Sequence, residues 1–205
     1  SPSFSAKLYT MKKIILATGN PGKVRELNAM LEGHYQVVSQ KDMQVQEVPE
    51  TGSSFVENAL IKARNAASQT QLPALADDSG LEVEALDGRP GIYSARYAGI
   101  NATDEENLKK LLNEMKKHSN RKANFCCAMV FIRDAEDQNP IVIEKRWYGE
   151  ILTRPIGSNG FGYDPIFYLK EYDCSSAQLD PKTKNQISHR GLALSDLLAE
   201  ILRIE

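Results

Sequence analysis

Two carboxylates stand side by side at Asp77 and Asp78, followed by a hydroxyl at Ser79 and a glycine at Gly80. Adjacent carboxylates repel each other, and a divalent cation relieves the repulsion. The pair therefore reads either as a metal-dependent site or as an Asx-type turn, in which the Asp side chains accept from nearby backbone N–H groups. The run before it, Leu72-Pro73-Ala74-Leu75, predicts a short buried strand whose C-terminal end opens into a loop at the aspartates. Ligands bind at that end of the strands in open α/β sheets.

Three further stretches carry chemistry. Thr18-Gly19-Asn20-Pro21-Gly22-Lys23 joins a strand to a helix. Backbone N–H groups at a helix N-terminus favour phosphate. Thr18 and Asn20 add neutral donors there, and Lys23 adds a positive charge. It is not a Walker A loop, because only two residues separate Gly19 from Gly22 and Val24 follows Lys23. The alternative is an ordinary turn with a solvent-facing lysine. Gly157 to Pro165 is a second glycine-rich loop, and an aromatic flanked by glycines, Phe161, either stacks on a planar ring or anchors the loop. At the C-terminal side, His189 and Arg190 fall in the first turn of a predicted helix capped by Ser188. Positive charge is unfavourable at that end, which points to an anion or acceptor nearby.

The elements that must position these residues follow from periodicity. Residues 12–17 form an apolar strand, Val24, Leu27, Met30 and Leu31 recur at helical spacing, and residues 35–38 form a second strand. Strand, glycine loop, helix and strand make a βαβ unit. Ser54 and Glu57 form a capping box for a helix reaching about Thr70. Glu47 and Glu50 precede it; they read as carboxylates for a metal at the aspartate loop or as a solvated acidic loop. Residues 81–86 alternate like a strand but also suit a helix, and 87–91 form a turn. Thr103 and Glu106 open an amphipathic helix through Met115. Residues 122–133 and 140–151 predict an antiparallel hairpin, with Cys126 and Cys127 as structural thiols and Trp147 in packing.

Composition sets the outer bounds. The chain has 205 residues, 41% hydrophobic and 25% charged, with a net charge of −2. That suits one large domain with a sizeable core and argues against general affinity for nucleic acid. Three cysteines without repeated spacing fit a reducing compartment, and no apolar run approaches the length of a membrane span. Residues 1–10 precede the first regular pattern and read as an N-terminal extension, leaving 11–205 as a single two-lobed domain.

The motifs occur in one order: Thr18 to Lys23, Ala76-Asp77-Asp78-Ser79-Gly80-Leu81, Pro90-Gly91-Ile92-Tyr93-Ser94-Ala95-Arg96-Tyr97, Gly160-Phe161-Gly162-Tyr163-Asp164-Pro165, and Ser188-His189-Arg190. In this the chain resembles the inosine triphosphate pyrophosphatase family, in particular its bacterial members that hydrolyse dITP, ITP and XTP. The resemblance implies an α/β fold: a mixed, twisted central sheet flanked by helices, in two lobes with the active-site cleft between them. It implies Mg²⁺-dependent cleavage between the α and β phosphorus atoms, giving a nucleoside monophosphate and pyrophosphate, in a cytoplasmic homodimer. By similarity, the loop of Thr18, Gly19, Asn20, Pro21, Gly22 and Lys23 holds the triphosphate, with Lys62 a weaker candidate. Asp78 binds metal and acts as general base, with Glu50 completing the metal shell in preference to Glu47. Ser79 contacts substrate, Phe161, Gly162, Tyr163 and Asp164 enclose the base, and Lys184, His189 and Arg190 complete the pocket. A Maf-type pyrophosphatase and a non-catalytic nucleotide-binding module are the competing readings.

Overall fold

The computed structural model describes residues 11–204; the expected N-terminal extension, 1–10, lies outside them. The expected βαβ unit is present as β1 (Lys13–Leu16), α1 (Pro21–Leu31) and β2 (Gln36–Ser39). β1 pairs in parallel with β2 from Lys13↔Gln36 to Leu16↔Ser39. Helix α2 (Phe55–Thr70) starts at Ser54, whose hydroxyl accepts from the Glu57 amide at 3.1 Å. The return half of the predicted capping box is different. The Glu57 carboxylate accepts from Ser53, from its amide at 2.6 Å and its hydroxyl at 2.9 Å. The inward face of α2 is alanine: Ala59, Ala63, Ala66 and Ala67 pack with Ile15, Ala17, Ala74, Ala76, Val130 and Ile132. Small side chains let the helix lie close on the strands.

The central prediction needs correction. The aspartates do not open a loop. Strand β3 runs unbroken from Ala74 to Val83, with Asp77, Asp78, Ser79 and Gly80 in its middle. β1 accompanies it in parallel only through Ile15↔Ala74 and Leu16↔Leu75. Its other neighbour is β4 (Lys122–Ile132), in a seven-stranded sheet of order β2-β1-β3-β4-β5-β6-β7. Asp, Ser and Gly are poor strand formers in isolation, but context on a long neighbouring strand overrides propensity. The ambiguous stretch 81–86 resolves into the end of β3 and a short 3₁₀ turn, Glu84–Leu86.

Helix α3 (Asp104–Met115) carries both halves of its capping box, with Thr103 and Glu106 bonded reciprocally at 3.0 and 3.1 Å. β4 and β5 (Ile141–Ile151) are sheet neighbours, as the hairpin reading requires. Then come β6 (Phe167–Leu169), β7 (Cys174–Ser175) and a helix that apolar periodicity did not reveal, α4 (Pro181–Ile187). Its signals are a capping aspartate, Asp180, and proline at the first helical position. The last helix is α5 (His189–Ile204).

The chain divides into two compact units. The first holds residues up to Asp77, Ala128–Ile143 and the segment from Leu194; the second holds Asp78–Cys127 and Glu144–Ala193. The second has its own core, in which Leu81, Leu111, Met115, Phe125, Trp147 and Phe167 pack together. Burying each such side chain stabilises by about 1.5–3 kcal/mol. Trp147 is in packing, as expected, with its ring 6.1 Å from Phe125 and 5.3 Å from Phe167. Among the described residues no helix is long and apolar enough to cross a membrane.

Candidate active site

In the first unit the glycine loop leads into α1. Asn20 caps the helix, its side-chain oxygen accepting from the amides of Gly22 at 2.9 Å and Lys23 at 3.2 Å. Those two N–H groups, expected to face phosphate, are thus held by Asn20, whose own amide nitrogen remains the donor of that side chain. The Thr18 hydroxyl accepts from the Asn20 amide at 3.2 Å. Lys23 reaches back to β3: its ammonium is 3.0 Å from Asp77 Oδ1, and the Asp77 side chain is fully buried. Lys62 of α2 donates to the Asp77 carbonyl at 2.7 Å and pairs with Glu50 at 3.0 Å.

The acidic loop before α2 is tied onto that helix. Asn58 Oδ1 accepts from the Gly52 amide at 2.8 Å, and Asn65 and Gln69 donate to the Gln46 carbonyl at 2.8 and 2.9 Å. Glu50 is turned to Lys62. Glu47 lies over the glycine loop, where a Cβ added at Gly19 would come within 2.9 Å of its Oε1. Within this unit Lys23 and Lys62 thus both reach Asp77, Lys62 also holds Glu50, and Glu47 lies against Gly19.

In the second unit Asp78 follows Asp77 along β3 and is 8% exposed. Successive strand residues point to opposite faces, so Ser79 shares a face with Asp77 and not with Asp78. Arg190, in the first turn of α5 and 1% exposed, donates to Ser79 Oγ at 2.8 Å. The hydroxyl is one acceptor for a cation held at a helix end that disfavours positive charge. Ser188 caps α5, its Oγ accepting from the Gly191 amide at 3.1 Å. Gly191 is required by a close approach: a Cβ there would sit 1.8 Å from the Asn185 carbonyl oxygen of α4. This contact fixes Lys184 on α4 relative to Arg190 on α5.

Both cations face one ring. Lys184 Nζ is 4.8 Å and Arg190 Cζ 5.5 Å from the centroid of Phe161. The ring's negative face attracts them. Asp164 organises this corner. Its Oδ2 lies 2.6 Å from Lys184 Nζ and accepts from the Phe161 amide at 3.0 Å, and its Oδ1 accepts from Ser176 Oγ at 2.9 Å. Ser176 was not singled out by sequence, since a lone serine outside a cap carries no pattern.

The remaining expected residues make contacts of their own within the second unit. Tyr163 is the loop's buried anchor, donating its hydroxyl to the Ser94 carbonyl at 2.7 Å, and burial raises its pKa. The Gly162 amide donates to Asp104 at 2.9 Å. His189 is 4% exposed, its ring stacked 4.8 Å from Phe125 and 5.9 Å from Trp147. Cys126 and Cys127 are buried and in no disulfide, and burial pushes the Cys126 thiol up to about 12, which suits the structural role expected of it.

Among the described residues no group of three or more His, Cys, Asp or Glu side chains is arranged to hold a metal ion. Mg²⁺ in nucleotide sites is bound through one or two carboxylates, with waters and substrate phosphates completing the shell.

The profile of the Ham1 family matches residues 14–200. The dITP/XTP pyrophosphatase of Vibrio cholerae is 56% identical over 194 residues, covering 93% of this chain and 97% of that protein. The dITP/XTP pyrophosphatase of Legionella pneumophila is 51% identical over 191 residues, covering 92% and 98%. The structure of a HAM1 protein from Coxiella burnetii superposes with a TM-score of 0.86 at 46% identity, covering 94% of this chain and all of that one. The match spans the glycine loop, both aspartates, the Phe161 loop and the start of α5, and the chain belongs to the Ham1 family.

Proposed function

We propose that this protein hydrolyses the non-canonical purine nucleoside triphosphates dITP, ITP and XTP to the nucleoside monophosphate and pyrophosphate. The observation that carries the reading is the likeness to dITP/XTP pyrophosphatases at 55% identity over 93% of the chain. The convergence of Lys184 and Arg190 on the Phe161 ring supports it, because a purine ring needs a stacking partner and a 6-keto oxygen needs donors. The Maf-type reading and the non-catalytic module have no comparable support.

The first-unit residues bind charge. Lys23 and Lys62 would exchange their present carboxylate and carbonyl partners for phosphate oxygens, with the Asn20 amide as a neutral donor. Mg²⁺ bound there would neutralise phosphate charge and polarise the attacked phosphorus. Asp78 and Glu50 are its proposed ligands; Glu47 is the second glutamate available, closer to Gly19. Asp78 orients and deprotonates water, worth about 10²–10⁴-fold for a positioned general base.

The second-unit residues select the base. Phe161 stacks on it while Lys184 and Arg190 donate to the 6-keto oxygen. Adenine presents an amino group there, which leaves those donors unpaired. The Trp147 and Phe125 rings keep His189 in place beside Arg190. We further propose that the enzyme acts in the cytoplasm as a homodimer, both carried over from the family resemblance.

The test is pyrophosphate release across a panel of nucleoside triphosphates, with and without EDTA, for wild type and Asp78→Asn. ITP, dITP and XTP should turn over far faster than ATP, CTP or UTP, EDTA should abolish the reaction, and Asp78→Asn should lose at least about 10²-fold in kcat. Equal rates on all nucleotides would remove the specificity claim.

A further inference from the structure

We infer that Ser176 is a positioning residue for recognition of the purine base, acting through Asp164. The inference rests on the proposed reading that Phe161 and Lys184 hold the base. Ser176 opens the 3₁₀ turn Ser176–Gln178 and is completely buried. Its hydroxyl donates to Asp164 Oδ1 at 2.9 Å. The other oxygen of that carboxylate holds the Lys184 ammonium at 2.6 Å and the Phe161 amide at 3.0 Å. One carboxyl group therefore fixes both the cation and the backbone of the aromatic it overlies, and Ser176 fixes the rotation of that carboxyl group.

The loop packs closely against the carboxylate on one side. Gly160 sits at φ +73°, and a Cβ there would come within 2.1 Å of Asp164 Oδ2. The loop wraps the carboxylate, and the segment carrying Ser176 forms its bed. Ser175 Oγ donates to the Ile156 carbonyl at 2.6 Å, and Asn159 bonds the carbonyls of Ala177 and Leu179 at 2.9 and 3.0 Å. Gly157, at φ +92°, lies so close to this bed that a Cβ would meet the Ala177 carbonyl at 2.7 Å. Most of these contacts hold the loop as a whole. Ser176 alone of the bed residues reaches the carboxylate that carries Lys184. Without its hydroxyl, Oδ1 loses its donor and the group can turn, taking the ammonium off its line to the base.

The experiment compares wild type, Ser176→Ala, Ser176→Cys and Asn159→Ala in steady-state kinetics with ITP and ATP, alongside thermal melting. Cysteine keeps nearly the volume of serine but is a weak donor, so it separates the hydrogen bond from a cavity effect. For both Ser176 variants the KM for ITP should rise about tenfold with kcat held within about twofold, the loss expected for a hydrogen bond to a charged group. The ITP-to-ATP ratio of kcat/KM should fall with it. Asn159→Ala, which loosens the bed without touching the carboxylate, should lower the melting temperature and leave that ratio unchanged. A wild type that discriminates, with Ser176 variants that discriminate equally well, would overturn the role of Ser176. A wild type that turns over ATP as fast as ITP would instead refute the base-recognition reading beneath it.

Discussion

Replacing Lys184 by methionine tests the corner proposed to read the base. The substitution keeps an unbranched stem and removes the ammonium. In the wild type that ammonium is 2.6 Å from Asp164 Oδ2, with 4% and 3% of the two side chains exposed. Breaking such a pair leaves a buried charge uncompensated, at a cost of about 3–5 kcal/mol. Asp164 keeps two donors, the Phe161 amide and the Ser176 hydroxyl, so the cost falls near the lower end. For a chain of this size about 3 kcal/mol lowers the melting temperature by about 6–12 °C. Trp147, the single tryptophan, is buried in the same unit, so its fluorescence reports the transition directly. The double variant Lys184→Met, Asp164→Asn removes both charges and should recover part of the loss, because no unpaired ion remains. A single variant within about 0.5 kcal/mol of wild type, below the range for any buried pair, would refute the reasoning. So would a double variant less stable than the sum of the two single changes.

Two predictions concern other groups. Burial pushes the thiol of Cys126 up to about 12 and also raises that of Cys174, but Cys174 is partly exposed. Iodoacetamide at neutral to mildly alkaline pH should therefore label Cys174 first and reach Cys126 and Cys127 only on unfolding. Peptide mass spectrometry reads the order, and early labelling of Cys126 would contradict it. Asp180 caps α4, the helix that carries Lys184, and the Thr183 backbone N–H holds its carboxyl below the usual carboxylate range. A lowered folded pKa gives stability that is present above the unfolded value, about pH 4, and lost as pH falls through the folded one. Asp180→Ala should thus melt below wild type at neutral pH, and the gap should close in acid; a gap that persists at the acid end would assign the loss to something other than the ionised cap.

Much of this could be read from local chemistry. The βαβ unit, the starts of α2 and α3 and the cap of α5 follow from glycine, proline, Ser and Thr at fixed offsets, and each is where the pattern puts it. Glu57 shows the limit even there: which neighbouring amide its carboxylate takes depends on the path of the chain before the helix. The aspartate segment reads as a loop because Asp-Asp-Ser-Gly has low strand preference, whereas its place in the interior of the sheet is a long-range property. Helix α4 went unseen because Pro181 to Ile187 buries Lys184 rather than a hydrophobic stripe. The contacts of Arg190 with Ser79 and of Ser176 with Asp164 join residues far apart in sequence, and no spacing rule announces them. Tyr163 and Gly162 sit in a motif whose other members face the cations, yet their own bonds run to Ser94 and Asp104.

That the aspartates lie inside a strand has a consequence for how the chain can change. A loop tolerates an added or deleted residue, since its side chains reach their places by many backbone paths. A strand assigns direction by parity. Deleting one residue of β3 ahead of Asp77 would exchange the faces of the two aspartates, sending the partner of Lys23 where the proposed base now points, and would turn Ser79 away from Arg190. Chemical type at these positions is therefore only half of the specification. The other half is whether each stands at an odd or an even step from the first paired residue, Ala74, which makes single-residue insertions and deletions in β3 far more damaging than conservative substitutions along it.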